Sequence, residues 1–442
     1  MADERALVTG IVRRLREAGH EAYLAGGCVR DQLLGRAPLD FDVATSAPPE
    51  TVERLFPRTV PVGAEFGVIL VVERGLRFEV ATFRSDDAYV DGRRPSQVHF
   101  GSAREDAQRR DFTINALFLD PLSGEVVDFV GGRRDLSAGV IRAIGDPRSR
   151  IAEDRLRMLR AVRLAARLGF TIEPETQAAI LASAATVTDI AAERIGDEIV
   201  KILTEGATRR GFELLRATGL LDPVLPEVAR MQGVGQSPEH HPEGDVFAHT
   251  LILLAQLPAG GSEALAFGAL LHDVGKPVCV SEHDGRITFY GHPAVGAEMA
   301  VAICQRLRRS RATWERVDYL VRNHLRLVQA PAMRLSTLKR MLRENGFDEL
   351  LALARMDALA SSRDLRYVGF CERRRAELAQ EEMRPARLLA GDDLIALGYP
   401  PGPLFGEILT ALEEAQLEDQ VRTRAEAERF VAERFSAALA GR

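Results

Sequence analysis

The stretch LAGGCVRDQLLGRAPLDFDVAT, Leu24–Thr45, decides how this chain is read. A short apolar segment leads into a glycine pair, Gly26-Gly27. A helix-compatible run carrying Arg30 follows, and the stretch closes on Asp40-Phe41-Asp42. In a strand, residues i and i+2 point to one face, so Asp40 and Asp42 are expected to project together with Phe41 packed behind them. Two acids a few ångströms apart repel and need a cation to stay ionised. Mg²⁺ takes carboxylates together with substrate phosphate oxygens. Such a pair can activate an attacking hydroxyl and neutralise a departing pyrophosphate. Gly26-Gly27 ahead of a helix lets backbone N–H groups approach a triphosphate, and Arg30 sits one turn in, where it can grip it. A DxD alone reads equally well as a solvated turn. The glycine pair and the acid pair in this order and spacing point to phosphoryl-transfer chemistry.

Around this stretch, Tyr23–Ala25, Asp40–Ala44, Gly67–Val72 and Arg77–Thr82 have the short apolar runs of strands, and Ala6–Arg16 and Thr51–Phe56 the spacing of helices. That mixture predicts an α+β fold class for a head of residues 1–145, a mixed sheet with helices. Glu79, on the strand segment RFEVATFR, is a candidate third acid beside Asp40 and Asp42, or an exposed strand glutamate. From Pro147 the pattern turns helical. IAEDRLRMLRAVRLAARLGF has apolar residues at helical spacing and no breaker before Gly169. We expect an all-helical remainder divided into a neck (146–215), a body (216–375) and a tail (376–442). Gln232–Gly244 and Gln380–Arg387 are candidate joints.

The chain has 442 residues, 46% hydrophobic and 28% charged, an ordinary globular composition and enough for about three domains. No apolar run approaches the ~18 residues that span a bilayer, and the opening MADERALVTG lacks the apolar core of a signal peptide. Cys28, Cys279, Cys304 and Cys371 are widely spaced. They read as buried free thiols in a cytoplasmic protein with no disulfide-linked partner and no membrane partner. A net charge of −6 gives no global argument for nucleic-acid binding, although a local basic face would suffice. Apart from Lys201, Lys276 and Lys339, every basic residue is arginine, a bias that a GC-rich genome explains and that also suits phosphate and base-edge recognition.

In the segment Glu153–Arg163, Asp154, Arg157 and Arg160 are spaced i, i+3, i+6, with Arg163 a turn further on. At 3.6 residues per turn they share one stripe, which by itself reads equally as a solvated, salt-bridged face. The chemistry of an Asp beside an Arg is nevertheless specific. Cytosine offers an amino donor beside a ring acceptor, and adenine does the same. An Asp acceptor next to an Arg donor satisfies both. Uracil and guanine present a carbonyl and a ring N–H instead, leaving buried charged groups unpaired at a cost of about 1–3 kcal/mol or more.

The stretch from Tyr23 to about Leu203 resembles the class II tRNA nucleotidyltransferase and bacterial poly(A) polymerase family, whose head belongs to the polymerase-β-like nucleotidyltransferase superfamily. The resemblance rests on GGCVRDQLLGRAPLDFDVAT, EDAQRRDFTINAL and IAEDRLRMLRAVRLAARLGF. It implies that Asp40 and Asp42 ligate Mg²⁺ and that Gly26, Gly27 and Arg30 meet the nucleotide. Arg110 and Asp111 would contact its ribose and phosphates, with Asn115 in support. The EDxxR element, Glu153 with Asp154 and Arg157, would read the incoming base in place of a template, and Arg160 and Arg163 would hold triphosphate or position the reader. The implied partners are CTP, ATP and the tRNA 3′ acceptor end, held by neck and tail. The polar loop SDDAYVDGRRPSQVHF would help switch the pocket from CTP to ATP. CCA addition is the expected activity. An A-adding enzyme or a poly(A) polymerase is the alternative, made less fitting by VPVGAEFGVILVV in place of a basic GRRF-type strand.

Six of the nine histidines fall between positions 240 and 292, and His324 lies beyond. His249, His272-Asp273 and Asp357 match the H…HD…D order of HD-domain metal phosphohydrolases. His292 and His324 could supply a second-metal side. Imidazole with carboxylate suits Mn, Fe, Ni, Co or Zn better than Mg, and a metal bound there would activate water against a phosphoester. An HD bundle can also serve as scaffold without metal. A rival of another class is an HD phosphohydrolase with an inert head.

Overall fold

The computed structural model describes residues 2–63, 66–86, 98–237, 244–283, 286–378, 383 and 385–436. The loop expected to switch the pocket lies mostly outside these, as do much of the joint 232–244 and part of the joint 380–387. The chain divides into two compact units, residues 1–229 with 258–260, and residues 230–257 with 261–442.

The first unit is built on a seven-stranded mixed sheet of β1 (Ala22–Ala25), β2 (Asp42–Thr45), β3 (Thr59–Gly63), β4 (Val68–Glu73), β5 (Leu76–Thr82), β6 (Leu117–Leu119) and β7 (Val126–Asp128). Its spatial order is β3-β4-β5-β2-β1-β6-β7. β2 runs antiparallel to β1 and parallel to β5. β5 alternates as a strand with one buried face should: Phe78, Val80 and Thr82 point into the core, while Arg77 and Glu79 face the opposite way. Helix α1 (Ala2–Glu17) lays Val8, Ile11, Val12 and Leu15 into the core at helical spacing. Tyr23, Phe83, Phe118 and Phe129 form an aromatic cluster with centroids 5.9–6.4 Å apart.

Two sequence expectations need correction. Asp40 lies outside the strand, which starts at Asp42. The segment IAEDRLRMLRAVRLAARLGF is not one helix. It breaks between α2 (Pro147–Glu153) and α3 (Arg157–Leu168), with Asp154 extended at φ −144°, ψ 102°. The Asp154 side chain accepts the Leu156 N–H at 3.1 Å, a local bond that competes with helix continuation. Gly169, left-handed at φ 76°, then ends α3 where the sequence placed the stop.

Among the described residues the second unit is helical apart from the antiparallel pair Ser281–His283/Arg286–Thr288 and an isolated bridge between Gly235 and Asp245. Its core helices include α5 (Val246–Leu254), α6 (Glu263–Leu271), α7 (His292–Arg306), α8 (Arg311–Asn323) and α9 (Phe347–Ala360). Helix α4 (Ala192–Thr204) belongs to the first unit. A separate apolar cluster of Leu394, Tyr399, Ile408, Leu412 and Val431 stabilises the tail. No helix among the described residues is long and apolar enough to cross a membrane, and all four cysteines are free.

Candidate nucleotidyl-transfer site and histidine centre

Register across the sheet brings the acids together. Asp42 pairs directly with Ala25 on β1 and with Glu79 on β5. Asp40 reaches the same cleft from the connection before β2. Like charges directly opposite one another on neighbouring strands destabilise a sheet, and the electrostatics register it. Burial, with the Asp40 and Glu79 charges, pushes the Asp42 carboxyl up to about 7, against the opposing pull of Arg110. Burial and Asp40 raise Glu79 as well. Three carboxylates on one cleft wall are the oxygen donors a hard divalent cation takes, though their oxygens are not drawn within 4.8 Å of one another as the ligand atoms of the histidine groups are.

Gly26 stands at φ 75°, ψ −136° and leads into the helix Gly27–Leu33 without a side-chain cap. A Cβ there would sit 3.3 Å from the Arg110 guanidinium and 3.8 Å from Asp42 Oδ2, so glycine satisfies both the backbone conformation and the space. Arg30 is buried and donates to Asp31 Oδ1 at 2.8 Å and Asn115 Oδ1 at 2.6 Å. It forms part of the cleft wall as a fixed support. Arg110 is held by Asp106 at 3.0 Å and by the Asn115 carbonyl at 3.2 Å. Asp111 accepts from the Phe112 N–H and from Asn115 Nδ2, and Arg160 lies 2.7 Å from it. Burial alone would raise Asp111, but the Arg160 charge and these hydrogen bonds outweigh it and hold the carboxyl below its usual range.

The reader faces the same cleft, a cavity of about 670 Å³ whose walls include Asp40, Asp42, Glu79, Asp154, Arg157 and Arg160. Arg157 donates at 2.6 Å both to Glu153 Oε2 and to the Arg150 carbonyl. Glu153 therefore supports Arg157 from behind and is not on the cleft wall. Asp154 precedes the helical stripe it was expected to join. Its Oδ2 accepts from Arg194 at 2.9 Å. Arg163 reaches the wall but is tied to Glu198 at 2.7 Å and Glu205 at 3.2 Å. Arg194, Glu198 and Glu205 were not singled out from sequence. Arg194 and Glu198 share the i, i+4 spacing of a helix pair, but Arg194 donates to Asp154, 40 residues away, and Glu198 accepts from Arg163, 35 residues away, as well as from Lys201.

In the second unit six side chains converge. His249 Nε2 lies 3.0 Å from Asp357 Oδ1 and 3.3 Å from His272 Nε2. Asp273 turns its Oδ1 toward His292 and His324, at 3.3 and 3.7 Å, and its Oδ2 to Lys276 at 2.7 Å and His272 Nε2 at 3.2 Å. The expected set of His249, His272, Asp273 and Asp357 is contiguous, and Asp273 links it to two further imidazoles. His249, His272 and Asp357 form one trio, and Asp273, His292 and His324 another, each with ligand atoms within 4.8 Å of one another. His272, His292 and His324 each direct Nδ1 at the carbonyl three residues back, at 2.7–3.0 Å. In each bond Nδ1 donates to the carbonyl and Nε2 faces the cluster, the orientation that metal-ligating histidines use. Burial drives His324 down to about 4. Asp357 stands at about 2, because the His249 hydrogen bond and nearby histidine charge overcome the opposing effect of burial.

The sheet, the acid trio and the uncapped glycine turn define a nucleotidyltransferase head, and the histidine cluster a centre of the HD type. Family models agree: "Poly A polymerase head domain" matches residues 22–142, "Probable RNA and SrmB- binding site of polymerase A" residues 169–232, and "HD domain" residues 246–362. The CCA-adding enzyme of Levilactobacillus brevis is 35% identical over 419 residues, covering 93% of this chain and 94% of that one. That of Bacillus subtilis is 46% identical over 213 residues, 48% of this chain and 53% of that one. The crystal structure of the Bacillus stearothermophilus CCA-adding enzyme in complex with CTP aligns over 97% of both chains at 26% identity, with a TM-score of 0.74. A Thermotoga maritima CCA-adding enzyme complexed with tRNA shares the fold at 19% identity and a TM-score of 0.60. The chain belongs to the CCA-adding enzyme family.

Proposed function

We propose that this protein adds C, C and A to the 3′ end of tRNA from CTP and ATP without a nucleic-acid template. The observation that carries the reading is the single cleft shared by the acid trio and the Asp154/Arg157 pair. In this reading Asp154 accepts the amino group of cytosine or adenine and Arg157 donates to the adjacent ring nitrogen, while U and G leave both charges unmatched. Backbone N–H groups after Gly26 meet the triphosphate, and Arg110 neutralises its charge. Asp40, Asp42 and Glu79 would hold Mg²⁺, which when bound supplies neutralisation of the leaving pyrophosphate and a more acidic 3′-hydroxyl. Residues 1–145 would carry out the transfer and 146–215 read the base. The HD body would span 216–375, and 376–442 would hold RNA by phosphates and A-form shape. Such a role belongs in the cytoplasm. Asp40→Ala tests it: nucleotide addition should fall at least a thousandfold with the fold intact, and retained addition would overturn the assignment.

The two histidine trios favour a second activity, phosphoester hydrolysis at a dinuclear transition-metal centre. It should persist in the Asp40→Ala protein and disappear in His249→Ala. Loss of both activities in Asp40→Ala would contradict two separate sites.

A further inference from the structure

We infer that Arg194 is a positioning residue for base selection, fixing the carboxylate that discriminates C and A from U and G. The inference rests on the reading of Asp154 as the base acceptor and extends it to a second helix.

Asp154 lies in the break between α2 and α3, where helix geometry does not fix its side chain. Two anchors from different elements do so instead. Oδ1 accepts the Leu156 N–H at 3.1 Å, and Oδ2 accepts from Arg194 Nη2, on α4, at 2.9 Å. Each oxygen retains acceptor capacity for an incoming amino group. The guanidinium–carboxylate bond is charge-assisted and directional, and the pair is only partly exposed, 25% for Arg194 and 16% for Asp154. Arg157 is fixed separately by Glu153 and the Arg150 carbonyl. The reader thus presents an acceptor and a donor in a set order.

That order is what selects the base. Uracil and guanine also carry one donor and one acceptor on this edge, but reversed. A carboxylate held only at Oδ1 can swing to accept the ring N–H, leaving Arg157 to donate to the carbonyl. With Asp154 pinned by Arg194, that rearrangement is blocked. A role confined to stability would lower all four nucleotides together, whereas a positioning role changes their ratio.

The test measures single-turnover kcat/KM for CTP and UTP on tRNA lacking its CCA end, in the full chain. Wild type, Arg194→Ala, Arg194→Lys and Asp154→Ala are compared. Arg194→Ala should lower CTP use at least tenfold, raise the UTP-to-CTP ratio at least tenfold, and leave inhibition by pyrophosphate within about twofold. Arg194→Lys should restore part of the selectivity, since it keeps a cation but loses the planar fork; it also serves if the alanine variant does not fold. If both Arg194 variants keep the wild-type ratio while Asp154→Ala changes it, the positioning role is overturned and the reading of Asp154 survives. If Asp154→Ala also keeps the wild-type ratio, the reading of Asp154 falls and the positioning role falls with it.

Discussion

Asp42 faces Glu79 across β2 and β5, and with Asp40 beside them burial and repulsion hold its carboxyl at about 7. A folded-state pKa above the unfolded value favours the protonated form. Its contribution to stability is therefore fully present below pH ~4 and is lost as pH rises through 7. Without divalent cation, wild type should lose stability relative to Asp42→Asn between pH 5 and 8, by no more than roughly 4 kcal/mol. Adding Mg²⁺ at pH 8 should return that stability to wild type and not to the variant. Thermal melts with and without chelator read both effects, and an equal response of the two proteins to Mg²⁺ would remove Asp42 from the ligand set. At Gly26, alanine would meet a positive φ and the Arg110 guanidinium together. Gly26→Ala should cost about 1 kcal/mol or more in denaturant unfolding and raise KM for both CTP and ATP alike, since the backbone there meets triphosphate and not base.

At the scale of elements, much of the site was legible. Gly26-Gly27 and Asp40-Phe41-Asp42 were expected at one site and do line one cleft, although Asp40 reaches it from the connection before β2 and not by strand alternation. Glu79 could be named only as a candidate, since parallel pairing of β2 with β5 joins segments far apart in sequence. The break at Asp154 was not legible. No Gly or Pro marks it; the Asp154 side chain captures a nearby N–H and a distant arginine, and helix propensity yields to those bonds. The order His249, His272-Asp273, Asp357 announced the histidine centre, but not that Asp273, 3.2 Å from His272, also joins His292 and His324. Which carboxylate meets which imidazole depends on how α5, α7 and α9 converge. The two adjoining trios predict two transition-metal ions per chain in protein loaded with Mn²⁺. Asp357→Ala should remove one and His324→Ala the other, as elemental analysis after gel filtration would show. One ion lost to both variants alike would mean a single mixed site.

At the scale of the molecule, a net charge of −6 hides a cleft in which Arg110, Arg157 and Arg160 stand within reach of the acids. Average charge was a poor guide because arginines of the cleft are paired with carboxylates: Arg110 with Asp106, Arg160 with Asp111, and Arg163 with Glu198 and Glu205. These pairs fix donor directions in advance, which suits selection of one base edge over another. The central claim is that one template-free pocket accepts C, then C, then A. It is tested by offering purified protein three tRNA transcripts, one lacking CCA, one ending in C and one ending in CC, each with labelled CTP, ATP, UTP or GTP and with CTP and ATP together, and sizing the products. Completion to CCA from all three ends with CTP and ATP together, and no use of UTP or GTP, is the expected result. A single A added only to the CC end, or long A tails on any end, would contradict it.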